Sequence, residues 1–174
     1  MRLIIMAASV IALSACGGNE VDADGDGAIS ENELKAAADE MVRPEPGRYR
    51  TTVSLVDIEM PGAPPQAREA MKSAMQTQTS ESCLTQEDAD RGFEQMTQNM
   101  QNANCKYEKF EMDGSNIDAR AVCDADAGTM DMTMTGTAGR TSSDMTMTMK
   151  GNMTGMGEGR MTMRIQNERI GDCT

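Results

Sequence analysis

The sequence predicts an α+β protein: a β-rich antiparallel sheet domain with two short helices and two disulfides, preceded by an arm made of one loop and one helix. Two observations predict this architecture. In the C-terminal half, apolar and polar residues alternate over several segments separated by glycine-rich turns, which is typical of strands with one buried face. Near the N terminus, an acidic loop is followed directly by a run of helix-forming residues.

The N-terminal segment has the pattern of a bacterial lipoprotein signal. A basic start precedes an apolar run over residues 3–13, which is too short for a permanent transmembrane helix. The run ends in Leu13-Ser14-Ala15-Cys16-Gly17, which resembles the lipobox whose cysteine is lipidated before cleavage. We therefore expect residues 1–15 to be a signal peptide and Cys16 to carry a lipid anchor. An ordinary signal peptide cleaved near Ala15 is the alternative.

The compartment and partners follow from the same segment and from the charge. By resemblance to lipoproteins of Gram-negative bacteria, Gly17 after the cysteine favours the outer membrane over the inner one. We expect a cell-envelope protein that faces the periplasm and contacts the membrane only through its lipid anchor. A formal net charge of −12 argues against nucleic acid as a partner. Nothing in the sequence indicates which protein partner the chain has.

Residues 22–33, with the sequence DADGDGAISENE, have the pattern of an EF-hand calcium loop. Such a loop supplies oxygen ligands at positions 1, 3, 5, 7, 9 and 12 and has a glycine at position 6. We predict that Ca²⁺ is bound by three carboxylates, a backbone carbonyl, a water-bridged hydroxyl and a bidentate carboxylate. In this order the ligands belong to Asp22, Asp24, Asp26, Ala28, Ser30 and Glu33.

The calcium loop lacks one of its two usual helices. The segment 17–21 is short and begins with two glycines, so it cannot form a stable entering helix. Residues 33–42 are rich in helix formers and stop before Arg43-Pro44. The arm, residues 16–43, therefore resembles the loop-plus-one-helix units of extracellular modules such as dockerins. Ile29 stands at position 8, where EF-hands pair one loop with a neighbouring loop, but the sequence contains no second loop. A solvated acidic linker is the alternative.

The remaining residues, 44–174, are predicted to form one domain that begins after the Pro44-Glu45-Pro46-Gly47 punctuation. Thr85 to Asp88 approximates a capping box and starts the second of two helices. In chain order we predict a strand over 48–59, helices over 66–77 and from 85 onward, a hairpin over 105–123, and strands around 129–137, 142–150 and 160–166.

The cysteines predict two disulfides. Besides Cys16 the chain has four cysteines, an even number that allows three connectivities in an exported protein. A hairpin with a three-residue loop at 113–115 places Cys105 opposite Cys123, which leaves Cys83 to pair with Cys173. Zinc is not expected, since the chain has no CxxC motif and no histidine.

Methionine supplies much of the apolar bulk, with 19 methionines against two phenylalanines and no tryptophan. In three predicted strands methionines alternate with threonines, so that each type occupies one face of the sheet. One interpretation is flexible core filling. The other is a periplasmic site for a soft metal, copper or silver, or for an apolar ligand. The methionines concerned are Met130, Met132, Met134, Met145, Met147, Met149, Met161 and Met163.

Catalytic motifs are missing from the sequence. Without histidine there is no Ser-His or Cys-His pair and no imidazole general base. The sequence therefore predicts no enzymatic activity. Together with the loop at 22–33 and the lipobox at Cys16, it predicts a calcium-ion-binding, lipid-anchored envelope protein.

Several short motifs resemble one known family. They are Pro46-Gly47-Arg48-Tyr49, Glu59-Met60-Pro61-Gly62, Cys83-Leu84-Thr85 and the terminal Arg169-Ile170-Gly171-Asp172-Cys173. Over residues 44–174 the chain resembles the domain-of-unknown-function 3617 family of bacterial exported proteins, in which the aromatic residue after Pro-Gly is often Trp. The resemblance implies an exported, β-rich domain and no particular activity. The calcium loop lies outside the usual pattern of that family.

Overall fold

A single antiparallel sheet of seven strands organises the part of the chain that the computed structural model describes, residues 21–22, 29–102, 104–125, 128–153 and 157–173. Three helices accompany the sheet in this part of the chain. In chain order the elements are α1 (Glu31–Glu40), β1 (Gly47–Glu59), α2 (Pro65–Ala74), β2 (Gln78–Leu84), α3 (Gln86–Asn102), β3 (Cys105–Asp113), β4 (Asn116–Ala125), β5 (Gly128–Ala138), β6 (Ser142–Met153) and β7 (Gly157–Gly171).

The strands lie in the order β2-β1-β7-β6-β5-β4-β3. Strands β3 to β7 form a meander, in which each strand pairs with the next one along the chain. The last strand, β7, then pairs with the first, β1, and β2 lies outside β1. The beginning and the end of the domain are therefore neighbours, and β2 and β3 form the two edges.

The two faces of the sheet differ in chemistry, as the alternation predicts. Residues directly opposite each other in the ladder share a face. Met132 faces Met149, which faces Met161, while Thr133 faces Thr148, which faces Thr162. One face therefore carries the methionines together with other apolar side chains, and the other face carries threonines and charged residues.

The best buried core lies at the β3–β4 end of the apolar face. Phe110 of β3 is 2% exposed, and its ring meets that of Tyr107 edge-on, with centroids 5.6 Å apart. Leu34 and Ala37 of α1 are buried in the same cluster, together with Ala119 and Ala121 of β4. Helix α1 of the predicted arm thus packs on the sheet, because its apolar side fills the space above the small alanines of β4.

The predicted elements of the domain are present, with one additional strand and several differences in extent: α2 ends at Ala74 instead of residue 77, and β6 continues to Met153 instead of residue 150. Strand β2 was not predicted, because its sequence QTSESCL has no apolar alternation and six of its seven residues are exposed. Its place is set by pairing with β1 rather than by burial. Strand β7 continues to Gly171, beyond the predicted 160–166, since β1 pairs with it as far as Arg48.

The hairpin between β3 and β4 differs from the prediction at its turn. The strands pair up to Asp113 and Asn116, which leaves a two-residue turn instead of the predicted loop at 113–115. A register shift between Tyr107 and Lys109 then moves the ladder by one residue, so that Cys105 still lies opposite Cys123. The bulge adds one residue to β3 and so compensates for the shorter turn. Cys105 and Cys123 therefore pair as predicted, although the turn differs from the prediction.

Both predicted disulfides are present. Cys105–Cys123 joins the neighbouring strands β3 and β4. Cys83–Cys173 joins the end of β2 to the chain just after β7, across a sequence separation of 90 residues. The two bridges therefore lie at opposite ends of the strand order.

Candidate functional site

The exit side of the predicted calcium loop leads directly into α1. Ser30 precedes the first helical residue, and its Oγ lies 3.4 Å from the backbone N–H of Glu33. In return, Oε2 of Glu33 accepts hydrogen bonds from the Ser30 backbone N–H at 2.9 Å and from its hydroxyl at 2.7 Å. Ser30 and Glu33 therefore form a capping box, which fixes where the helix starts. The Glu33 carboxylate is thereby held in the first helical turn, on the loop side of α1.

The loop is also attached to the edge of the sheet. The backbone N–H of Ile29 donates to the carbonyl of Tyr107 in β3, at 3.5 Å. The side chains of Ile29 and Val21 pack against the buried cluster that contains Tyr107 and Phe110. In an EF-hand pair, position 8 contacts the neighbouring loop. Ile29, at position 8 of the predicted loop, contacts an edge strand of the sheet instead.

The predicted ligands fall into two groups. Asp22, Ser30 and Glu33 lie within the described residues, as do the contacts given above. Asp24, Asp26, Ala28 and the predicted lipidation site Cys16 lie outside them. In the described part of the chain, no three His, Cys, Asp or Glu side chains are grouped closely enough to hold a metal ion. The completeness of the calcium site is therefore a prediction from the loop sequence.

The methionine face forms a second candidate site at the centre of the sheet. Across β5, β6 and β7 the register places Met134, Met147 and Met163 in one row. A second row, two residues along each strand, consists of Met132, Met149 and Met161. All six side chains are half-buried, in contrast to the fully buried Phe110. Strict alternation alone could not show that these residues remain accessible.

The opposite, polar face carries an open groove of about 810 Å³. Its charges are largely paired within the face: Arg120 binds Asp131 at 2.8 Å, and Arg160 binds Glu59 at 2.9 Å. Threonines line the floor between these pairs, and the hydroxyls of Thr148 and Thr162 lie 3.1 Å apart. The lining holds three acidic and three basic side chains, so neither sign dominates the groove; Lys150 lies opposite both Asp131 and Arg160.

One ion pair on the polar face perturbs a carboxyl group clearly. Arg164 of β7 binds both carboxylate oxygens of Asp144 in β6. The hydrogen bonds from this guanidinium lower the pKa of Asp144, and a further bond from Gln166 acts in the same direction. Both groups are exposed to solvent, so this pair is a surface feature rather than an acid or base tuned by burial.

The motifs at the two ends of the domain meet and form a structural clasp. The Tyr49 hydroxyl of β1 lies 2.8 Å from the carbonyl oxygen of Glu45 and 3.0 Å from that of Arg140, between which it shares its proton. Arg169 of β7 donates to the carbonyl of Pro46 at 2.9 Å. Arg140, in the turn between β5 and β6, also accepts a backbone hydrogen bond from Glu45 at 2.7 Å.

The contacts of the clasp hold the first and last strands of the domain to the β5–β6 turn and to residues 45–46. Burial raises the pKa of Tyr49, the Arg169 guanidinium opposes this effect, and the Glu45 carboxylate adds to it. The phenol is therefore kept neutral and able to donate its proton. Arg140 was not singled out by the sequence, since no motif marks it, and only the β5–β6 turn brings it to Tyr49.

No helix in the described ranges combines the length and the apolar character that a bilayer crossing requires. Comparison with curated proteins gives no match, and comparison with solved structures gives none. Comparison with protein families gives a match over residues 44–173, to the family described as "Protein of unknown function (DUF3617)". The matched region begins just before the clasp, at Pro44, and ends at the cysteine of the terminal disulfide, and on this match the chain belongs to the DUF3617 family.

Proposed function

We propose that this chain is a calcium-ion-binding, lipid-anchored protein of the bacterial cell envelope that has no catalytic activity. The observation that supports calcium binding is the arrangement at the exit of the loop. Ser30 caps α1, Glu33 stands in its first turn, and Ile29 is bonded to β3. These are the positions that a calcium loop of this sequence needs for ligands 9 and 12 and for its supporting strand.

The capping box affects the expected affinity. Calcium requires both oxygens of Glu33, whereas Oε2 accepts two hydrogen bonds from Ser30 in the structure. Binding the ion would therefore weaken at least one capping bond, at a cost of about 1 kcal/mol. Together with the missing entering helix, this cost favours a weak site, with a Kd of about 10⁻⁴–10⁻³ M.

Calcium binding is expected to stabilise the sheet domain as well as the loop. Val21 precedes the loop, Ile29 lies within it and Leu34 follows it, and all three pack against the cluster at the β3–β4 end. An ion that orders the loop would therefore also favour the docked position of α1. At a calcium concentration one hundred times the Kd, the linked stabilisation would be about 2.7 kcal/mol.

Calorimetric titration with calcium tests the proposal on the chain from residue 16 onward, with Cys16 replaced by Ser. The informative variant is Glu33→Gln, because glutamine still forms a capping box but removes the charge and the second carboxylate oxygen. Glu40→Gln is the matched control, since Glu40 is exposed at the end of the same helix. We expect one site that is lost in Glu33→Gln and kept in Glu40→Gln. Absence of binding at several millimolar calcium would refute the proposal.

The lipid anchor needs a separate experiment. The full chain expressed in a Gram-negative host is expected to incorporate a labelled fatty acid and to fractionate with the membrane. Cys16→Ser should abolish both properties, whereas Ser14→Ala is a neighbouring control. A wild-type chain recovered without label would show an ordinary signal peptide instead.

A further inference from the structure

Four methionines of β6 and β7 form a compact group on the apolar face. Met147 lies directly opposite Met163, and Met149 lies directly opposite Met161. Neighbouring strands are about 4.8 Å apart, and residues two positions apart along a strand are separated by about 7 Å. The four side chains therefore arise from a rectangle of about 5 by 7 Å, which we call the methionine rectangle. Methionine is long and flexible enough for its sulfur atoms to converge from such positions.

The burial of the methionine rectangle argues against a role in core filling alone. All four side chains are half-buried, and none belongs to the buried core. Met60, by comparison, is 1% exposed, so methionine is fully buried in this protein where it fills a core position. The sulfur-bearing side chains of the rectangle thus remain within reach of a small solute.

The side chains around the methionine rectangle indicate which kind of small solute it could bind. On the same face, Leu55 and Ile58 of β1 lie opposite Met163 and Met161. Among the paired strand residues that the structure describes, no carboxylate lies beside them on this face, and the described cysteines are joined in disulfides. The available donors are therefore neutral thioethers, which are soft ligands that hold Cu(I) in preference to hard ions such as calcium.

We propose that Met147, Met149, Met161 and Met163 form a binding site for a soft monovalent metal ion of the Cu(I) type. The site shares no ligand with the calcium loop, so each can fail without the other. Met132 and Met134 of β5 extend the same rows. They are turned toward other partners, because Met132 Sδ lies 3.5 Å from Cys123 Sγ and Met134 packs against the Phe110 cluster.

Silver is the first probe, because Ag(I) has the same soft chemistry and does not oxidise thioethers under mild conditions. The chain from residue 16 onward, with Cys16→Ser and both disulfides intact, is titrated with Ag(I) and, in a second arm, with Cu(I) against a competing chelator. We expect one ion per chain. Replacing the methionine rectangle by four leucines should weaken binding at least tenfold. A control with Met41, Met71, Met75 and Met112 changed to leucine should bind as the wild type does.

The ¹³C-labelled methionine methyl groups provide a readout that does not depend on the folding of a fourfold variant. In the wild-type protein the four methyl resonances of the rectangle, assigned by single Met→Leu variants, should shift on adding Ag(I). Those of Met71 on α2 and Met75 directly after it should not. Absence of binding would overturn the proposal. Equal losses in the rectangle variant and the control, or shifts spread over all methionines, would overturn it as well.

Discussion

The β3–β4 end of the sheet and its β5–β7 centre share one apolar face but differ in how that face is covered. At the β3–β4 end, α1 brings Leu34 and Ala37 onto small alanines and two aromatic rings, and the contact is fully buried. In the centre, two rows of methionines are only half-buried. Alternating apolar residues thus predict which face is apolar, whereas a covering element decides whether that face is a core or a surface.

Removing the disulfides is expected to give the largest losses of unfolding free energy. Because one bridge lies at each end of the strand order, the two losses compare the two ends of the sheet. Removing Cys83–Cys173 by a double serine variant should lower the free energy of unfolding by about 4–5 kcal/mol, because the bridge closes a long loop. Removing Cys105–Cys123, which closes a loop of 18 residues, should cost about 3 kcal/mol. Urea unfolding measures both. A larger loss at Cys105–Cys123 would show that the covered end depends on its bridge more than on its packing.

Truncating one side chain in each region tests the comparison directly. Phe110→Ala should destabilise the protein by about 3–5 kcal/mol, since it leaves a cavity under α1. Met147→Ala should cost less than about 1.5 kcal/mol, because the methionine is half-exposed and buries less apolar area. Chemical denaturation of the two variants supplies the values. Similar losses would mean that the methionine face is covered as tightly as the β3–β4 end.

Gly47 begins β1 beside the clasp, on the side of the sheet away from the β3–β4 hairpin. Its replacement should have an intermediate effect on the free energy of unfolding. Its φ is +154°, and a Cβ would stand 2.7 Å from the carbonyl oxygen of Gly171 and against the Arg169 side chain. We expect Gly47→Ala to cost about 1–3 kcal/mol through strain. Gly114→Ala is the control, because the φ of Gly114 is +60° but no atom lies within 4 Å of the added Cβ. A larger loss of unfolding free energy in Gly114→Ala would show that the β3–β4 turn is more sensitive to substitution than the clasp.

The Tyr49 hydroxyl is expected to give the smallest effect, which depends on pH. Tyr49→Phe should lower the free energy of unfolding by about 1 kcal/mol at neutral pH, through loss of the hydrogen bond to the two carbonyls. Because folding raises the pKa of Tyr49, the contribution is fully present below the ordinary tyrosine pKa of about 10. It is lost as the pH rises through the higher folded-state value.

Unfolding curves of wild type and Tyr49→Phe between about pH 8 and pH 11 provide the measurement for this prediction. Subtracting the two curves removes the contributions that both proteins share, including that of Tyr107, whose pKa burial also raises. A difference that grows with pH would contradict the direction of the shift.

The sequence alone determined the parts of the fold that depend on local pattern. Period-two alternation identifies β1 and β5–β7, and the turn residues at 113–115 mark the β3–β4 hairpin. The Thr85–Asp88 capping box marks the start of α3, and the cysteines of the hairpin lead to both disulfides. The calcium loop stays a sequence prediction, because its ligand pattern is contained in twelve consecutive residues. Local signals of this kind depend on backbone geometry within one element.

The tertiary structure alone decided which segments distant in the chain contact each other. Strand β2 forms because β1 offers an edge, although its own residues are polar. Ile29 meets Tyr107, and Tyr49 meets Arg140, through pairings between segments distant in the chain. The extent to which the methionines are covered depends likewise on where α1 docks. Such contacts arise from the packing of elements against each other, which leaves no periodic trace in either segment.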